Sequence, residues 1–129
     1  MIKHILSVDD EADIRELLQE ALTLKGYRVS IAADPPAARK IVKEDPPQLI
    51  IMDFQLEVGD GFVLIDEFRK QLPGTPILLL TGAAFDPQVV RDVVLKKVSA
   101  YLDKTASLAT IVSEIQRLLG DSPDAPASA

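Results

Sequence analysis

Cysteine and tryptophan are absent from this chain of 129 residues, and aromatic residues make up only 5% of it. The lack of cysteine excludes disulfide bonds, thiolate catalysis and zinc sites with cysteine ligands. It also suits a reducing compartment, and we expect the protein in the cytoplasm. Because aromatic side chains are so few, the hydrophobic core is expected to be aliphatic.

Long apolar runs and large clusters of basic residues are also missing from the sequence. No apolar run approaches the roughly 20 residues of a membrane span, and the first residues lead into a short strand instead of a signal peptide. The net charge is -6, whereas binding to nucleic acid needs clustered Lys and Arg. We therefore expect neither a membrane nor nucleic acid as a direct partner.

Strands and helices are predicted to alternate along the whole chain. Residues 48–53 are the most informative stretch, because four successive apolar residues precede Asp53 with no polar alternation. That pattern is typical of a central strand with both faces buried. Further strands are predicted at 4–8, 28–32, 77–80 and 100–103, and the partial alternation of 28–32 indicates the edge of the sheet.

Amphipathic helices are predicted after each strand, because apolar residues recur every three or four positions. The first helix carries Ile14, Leu17, Leu18, Ala21 and Leu22 inward and ends at Gly26, while Asp34 and Pro35 begin the second. A fourth helix at 86–97 depends on valines, which favour helices less than Leu or Ala do. The five repeats predict an α/β, doubly wound parallel sheet with five helices on two faces.

One domain is expected at residues 1–120. The remainder, 121–129, is rich in Pro, Ala, Ser and Asp. It has little apolar surface to bury, and we expect a flexible C-terminal tail.

Polar residues that could take part in binding or catalysis follow or end four of the predicted strands: Asp9, Asp10, Asp53, Thr81 and Lys104. In an open parallel sheet the carboxyl ends of the strands line one crevice. Carboxylates in close contact there would repel one another by about 4 kcal/mol per pair at an effective dielectric near 20. A cation is therefore expected among them, and Mg²⁺ fits because only oxygen ligands are present.

This combination of groups favours phosphoryl transfer. The metal, the Lys104 ammonium and the Thr81 hydroxyl would surround a phosphoryl group, with Asp53 as the nucleophile. The alternative interpretation is an acidic loop paired with a structural lysine.

The same residues resemble the signature motifs of the receiver domain of two-component response regulators, over residues 3–120. The matching segments are 6–11 with the acidic pair, 53–56 and 60–61 with the phosphoacceptor loop, then 80–82 and 100–104. Each motif alone is a weak signal, but the four in this order are specific. The resemblance implies a flavodoxin-like strand order 2-1-3-4-5.

The resemblance also implies a role for each residue of the crevice. Asp53 is expected to accept phosphate from the phosphohistidine of a sensor histidine kinase or phosphotransfer protein. Asp9, Asp10, Asp53 and the backbone carbonyl of Gln55 would hold Mg²⁺, Thr81 and Lys104 would bind the phosphoryl oxygens, and Thr81 and Tyr101 would form the switch. Such a domain is not an enzyme, since it assists only its own phosphorylation and dephosphorylation at Asp53.

The output of such a domain is expected on one face. The helix at 86–97, the fifth strand and the last helix would rearrange after phosphorylation and contact a downstream protein or a second copy of the chain.

Three positions depart from the family pattern. Thr105 follows the lysine and Glu57 lies four residues beyond the phosphoacceptor, and proline is usual at both places; Lys97 stands where glycine is common. Because a cis bond before a residue other than proline costs about 2.5–4 kcal/mol, we predict a trans bond between Lys104 and Thr105. The single histidine, His4, is interpreted as an exposed residue at the start of a strand.

Other function classes remain open. A Mg²⁺-dependent phosphatase with an aspartyl-phosphate intermediate would need a general acid two residues beyond its nucleophile, where this chain has Gln55, which cannot donate a proton in that role. A receiver-like interaction module that never turns over phosphate would have the same motifs. Flavin binding would rest on analogy of fold alone.

Overall fold

The computed structural model describes residues 2–53, 61–81 and 98–121. These ranges contain five strands and four helices. In chain order they are β1 (His4–Val8), α1 (Ala12–Leu24), β2 (Arg28–Ala32), α2 (Pro35–Glu44), β3 (Leu49–Asp53), α3 (Gly61–Gln71), β4 (Ile77–Thr81), β5 (Ala100–Asp103) and α4 (Leu108–Leu118).

The five strands form one parallel sheet in the order β2-β1-β3-β4-β5. This is the predicted flavodoxin-like, doubly wound α/β arrangement. All residues of β1 and β3 are buried, because each lies between two strands and beneath helices. The β2 strand lies at one end of this order and has only one fully buried residue, Ala32, which confirms the edge position predicted from its mixed sequence.

Two apolar layers cover the sheet. One face packs against α1 and α4 through Leu18, Leu22, Ile111, Val112 and Ile115. The other face packs against α2 and α3 through Ala38, Val42, Leu64, Ile65 and Phe68. Since the helices bury apolar side chains on both faces, the sheet itself can consist of almost continuous apolar runs.

The ends of the helices follow from local chemistry. Gly26 after α1 has φ 94° and Gly120 after α4 has φ 76°, a left-handed conformation that glycine adopts without a Cβ penalty. At the start of α2 the Asp34 carboxylate accepts a hydrogen bond from the backbone N–H of Ala37 at 2.9 Å. The boundaries at Gly26 and Asp34 confirm the predictions from sequence.

The predicted helix at 86–97 lies outside the described residues, as do Gln55, Glu57 and Lys97. The structure therefore describes four of the five predicted helices. The bond between Lys104 and Thr105 is trans as predicted, since the described residues contain no cis peptide bond. Among these residues no helix is long and apolar enough to cross a membrane.

Two predictions about side chains were wrong. Leu17, which we expected to face inward from α1, is 53% exposed, because it lies at the outer margin of the apolar stripe. His4, which we expected to be exposed, is only 2% exposed. It begins β1 between β2 and β3, and its Nε2 lies 2.7 Å from Ser30 Oγ on the neighbouring strand.

The boundary between domain and tail also differs at one residue. Asp121, expected to begin the tail, accepts hydrogen bonds from Lys3 Nζ and Tyr27 Oη, each at 2.7 Å. Lys3 Nζ also donates to the backbone carbonyl of Leu119 at 2.7 Å. Asp121 is therefore part of the packed domain, and residues 122–129 lie outside the described ranges.

Candidate functional site

The acidic crevice lies where the strands of the sheet end. Asp9 and Asp10 follow β1, Asp53 is the last residue of β3, and Lys104 follows β5. The register brings these ends together, because Val8 pairs with Met52 in the neighbouring strand. The structure thus unites the four charged residues that the sequence predicted for one crevice.

The ammonium group of Lys104 lies at the centre of this cluster. Its Nζ donates to Asp53 Oδ2 at 2.7 Å and to Glu11 Oε1 at 2.6 Å, and Asp9 Oδ2 is 3.5 Å away. The Asp53 side chain is only 1% exposed and that of Lys104 is 13% exposed. One cation therefore neutralises a buried carboxylate and contacts two further ones.

Asp9 is fixed by the backbone around it. Its Oδ1 accepts a hydrogen bond from the N–H of Glu11 at 2.8 Å, and its carbonyl oxygen accepts one from Arg15 Nη1 at 2.6 Å. Its Oδ2 is buried without a hydrogen-bond partner. Burial raises the pKa of Asp9 to about 6, the backbone hydrogen bond opposes that rise, and the charge of Asp53 adds to it.

The pKa of Lys104 moves in the opposite direction from that of an ordinary buried lysine. Burial alone would lower it, but the hydrogen bonds to Asp53 and Glu11 outweigh burial and raise the pKa above its usual value. The side chain therefore stays charged at every physiological pH. A permanent positive charge beside Asp53 suits the binding of anionic oxygens.

The carboxylates lie close enough together that they could hold a metal ion. Asp9, Asp10, Glu11 and Asp53 each offer an oxygen atom, and these atoms lie within 4.8 Å of one another. The buried Oδ2 of Asp9 lacks a hydrogen bond, so a cation would satisfy it. An all-oxygen set fits a hard divalent ion better than a soft one.

Two further predicted site residues lie in β4 and β5. Thr81 ends β4, and its backbone pairs with Asp103 of β5. Tyr101 lies in β5 opposite Leu79 and is 41% exposed. Gln55, predicted to offer its carbonyl, lies outside the described residues.

The comparison with known families decides the assignment. Residues 5–116 match the response regulator receiver domain. The chain belongs to this family.

Relatives of this receiver domain include longer regulators. The response regulator MprA of Mycobacterium leprae is 31% identical over 122 residues, which cover 89% of this chain and 50% of MprA. A probable transcriptional regulator ycf27 of Porphyridium aerugineum is 40% identical over 78 residues, which cover 60% of this chain and 32% of that protein. The matched residues thus span about a third to a half of the length of these relatives.

Solved structures of similar domains match almost the whole chain. The receiver domain of NtrX from Brucella abortus has a TM-score of 0.82 and 28% identity, and the match covers 92% of this chain and 99% of that one. The chemotaxis response regulator CheY4 of Vibrio cholerae gives the same values of TM-score, identity and coverage. The chain is a receiver domain of a two-component response regulator.

Sequence reasoning gave no role to two residues of this receiver domain that contact the cluster. Glu11 lies in the acidic run, but nothing local indicates its ion pair with Lys104, which is 93 positions away. Arg15 lies on the first turns of α1, where a basic residue normally indicates only a solvated face. Its position four residues after Glu11 is the only signal that it could reach back to the crevice.

Proposed function

We propose that this receiver domain takes phosphate onto Asp53 from the phosphohistidine of a sensor histidine kinase or a phosphotransfer protein in the cytoplasm. The geometry of Lys104 carries the proposal. Its ammonium lies 2.7 Å from Oδ2 of the buried Asp53, where it would contact a phosphoryl group added to that carboxylate. The chain would act on its own Asp53 and not on a separate substrate.

The bond changes are those of a displacement at phosphorus. A carboxylate oxygen of Asp53 forms the new oxygen–phosphorus bond, the phosphorus–nitrogen bond of the donor breaks, and the imidazole leaves with that electron pair. Lys104 and the Thr81 hydroxyl would bind the phosphoryl oxygens as charge moves onto them. Water can hydrolyse the acyl phosphate later and restore Asp53.

Mg²⁺ is the ion that we assign to the carboxylates. Asp9, Asp10 and Asp53, whose oxygens lie in the acidic cluster, would hold it. The backbone carbonyl of Gln55 would complete the set, as the resemblance to the family implies. The ion would neutralise phosphoryl oxygens and the crowded carboxylates. The buried Oδ2 of Asp9, which has no hydrogen-bond partner, supports this assignment.

The output would be a change of surface. Phosphate adds up to about two negative charges beside Thr81, so this residue would move toward the new oxygens and leave space for Tyr101. Tyr101 is 41% exposed and would turn inward as the second part of the switch. The face made by residues 86–97, β5 and α4 would then bind a downstream protein or a second copy of the chain.

Phosphorylation is tested directly by mass spectrometry. The protein is incubated with Mg²⁺ and a small phosphodonor such as acetyl phosphate, and one phosphoryl group should appear on Asp53. Asp53→Asn should abolish the addition, because an amide is a poor nucleophile and removes a charge from the metal cluster. Asp13→Asn, on the exposed first turn of α1, should leave it unchanged.

The contrary results are clear. Labelling that persists in Asp53→Asn would place the phosphate elsewhere. Wild-type protein that takes no phosphate from a small donor or from kinases would support the alternative, an interaction module without phosphate turnover.

A further inference from the structure

Glu11 lies at the N-cap of α1 but does not cap the helix with its side chain. Its backbone angles are extended, with φ -89° and ψ 113°, and its carboxylate accepts no hydrogen bond from the N–H groups of the first turn. Ser, Thr, Asp and Asn are the preferred N-caps because their short side chains reach the free N–H groups of the first turn. The Glu11 carboxylate instead extends away from its own helix to Lys104.

Glu11 contacts both charged partners of the crevice at once. Its backbone N–H holds Asp9 Oδ1 at 2.8 Å, and its Oε1 accepts from Lys104 Nζ at 2.6 Å. The Glu11 side chain is 57% exposed, whereas those of Asp53 and Lys104 are almost covered. Glu11 therefore closes the solvent side of a chain of contacts that runs from Glu11 through Lys104 to Asp53.

The lysine needs such a second anchor. Lysine is a point charge on a flexible stem with three donors. Its contacts on the inner side, with Asp53 at 2.7 Å and with Asp9 at 3.5 Å, would leave a donor free to turn toward water. A second carboxylate on the outer side restricts the ammonium to the space between both acceptors. The restriction keeps its charge beside the oxygen that would receive the phosphoryl group.

We propose that Glu11 is a positioning residue that holds the Lys104 ammonium beside Asp53 and so speeds phosphorylation of Asp53. Holding the ammonium is a property of the unphosphorylated protein. The effect on rate rests on the proposed function. Glu11 acts in this account through Lys104 and not as a ligand of the metal.

The first test measures the reactivity of the Lys104 amine without donor or metal. Wild type, Glu11→Gln and Asp13→Asn are treated with a limiting amount of an acetylating ester, and peptide mass spectrometry gives the ratio of acetylation at Lys104 to that at the exposed Lys25. Because exposed ion pairs are weak, we expect the ratio to rise about threefold in Glu11→Gln. Asp13→Asn, which removes the same charge two residues away, should leave it unchanged.

An equal ratio in all three proteins would overturn the proposal, since Lys104 would then be held without Glu11. So would an equal rise in both variants, which would indicate a general effect of charge. This readout involves no phosphate. It therefore judges the contact with Lys104 even if Asp53 never becomes phosphorylated.

The second test separates positioning from metal binding. Initial phosphorylation rates with a small donor are measured over a range of Mg²⁺ concentrations. Glu11→Gln should remain about threefold slower than wild type at saturating Mg²⁺, since the weakened ion pair is not restored by metal, and Asp13→Asn should match wild type. Recovery of the full rate at high Mg²⁺ would show that Glu11 serves the metal, and an unchanged rate at every concentration would show that it has no role; either result overturns the proposal.

Discussion

At the scale of single residues, Lys104 is the cation on which the buried acids of the crevice depend. Its removal takes away the ion pair of 2.7 Å between Lys104 Nζ and the Asp53 carboxylate, whose side chain is 1% exposed. Breaking a buried pair by removing one member is destabilising, because the other charge stays buried. The crevice is open to water at Glu11, which moderates the effect.

We therefore predict that Lys104→Met lowers the free energy of unfolding by about 2 kcal/mol in metal-free buffer. Urea denaturation measures this value. The same substitution in an Asp53→Asn background is the matched control, and there it should have a clearly smaller effect. Equal effects in both backgrounds would show that the two side chains are not coupled.

His4 predicts a dependence of stability on pH. Its pKa lies below the usual 6.5, first because the ring is buried and second because Arg28 is near, while Asp45 opposes the shift. Between the lowered pKa and 6.5 the unfolded chain binds more protons than the folded one, so stability falls as the pH falls through this window. Above pH 6.5 the contribution of neutral His4 is fully present.

The measurement is the urea midpoint between pH 7.5 and pH 5. Asp9 changes stability in the opposite sense in part of this range, because its pKa is raised to about 6. His4→Gln isolates the histidine, and its midpoint should fall less with decreasing pH than that of wild type. Parallel curves for the two proteins would mean that His4 does not titrate differently on folding.

At the scale of secondary structure, α2 depends on the cap at Asp34. The carboxylate accepts from the N–H of Ala37 at 2.9 Å, and Pro35 and Pro36 follow at positions where a missing N–H does no harm. Asp34→Ala should lower the free energy of unfolding by about 1 kcal/mol. Asp34→Asn should retain most of the stabilisation that Asp34→Ala removes, because an Asn side chain can also cap the helix. An equal loss of stability in both variants would mean that the charge of Asp34 and not its capping hydrogen bond is responsible.

The same scale shows which elements the sequence predicts well. The apolar runs before Asp53 and Thr81 identify interior strands, because only burial on both faces tolerates them, and Gly26 and Asp34 mark helix ends through local backbone chemistry. The prediction that His4 is exposed was wrong because its burial comes from tertiary contacts. The residue pairs with Arg28 of β2, and its Nδ1 lies 3.7 Å from Asp45 Oδ1. Such packing leaves no periodic signal in one short strand.

Contacts between distant residues are harder still to predict. The convergence of Asp9, Asp53 and Lys104 was predictable because strand ends in a parallel sheet share one edge. The pairing of Glu11 with Lys104 was not, since it depends on side-chain reach across that edge. The hydrogen bonds that Lys3 and Tyr27 donate to Asp121 were not predicted for the same reason.

At the scale of the whole molecule, phosphorylation should shift a population and not create a new fold. We predict that a beryllofluoride adduct at Asp53 changes amide exchange in β5 and α4 as well as around Asp53. Mass-resolved hydrogen exchange of wild type with and without beryllofluoride measures the change, and Asp53→Asn is the control without an adduct. Changes confined to the segment around Asp53, with 86–119 unaffected, would contradict the predicted output face.

The contacts of Lys3 have a consequence for the architecture of larger proteins. The Lys3 side chain donates hydrogen bonds to Leu119 and Asp121. The first and last residues of the folded domain are therefore neighbours, on the side of the sheet where the strands begin. The acidic crevice lies at the opposite edge. A domain fused at either point would lie on the side of the sheet opposite Asp53. A short linker between residues 3 and 121 would permit a circular permutant with new termini elsewhere in the chain.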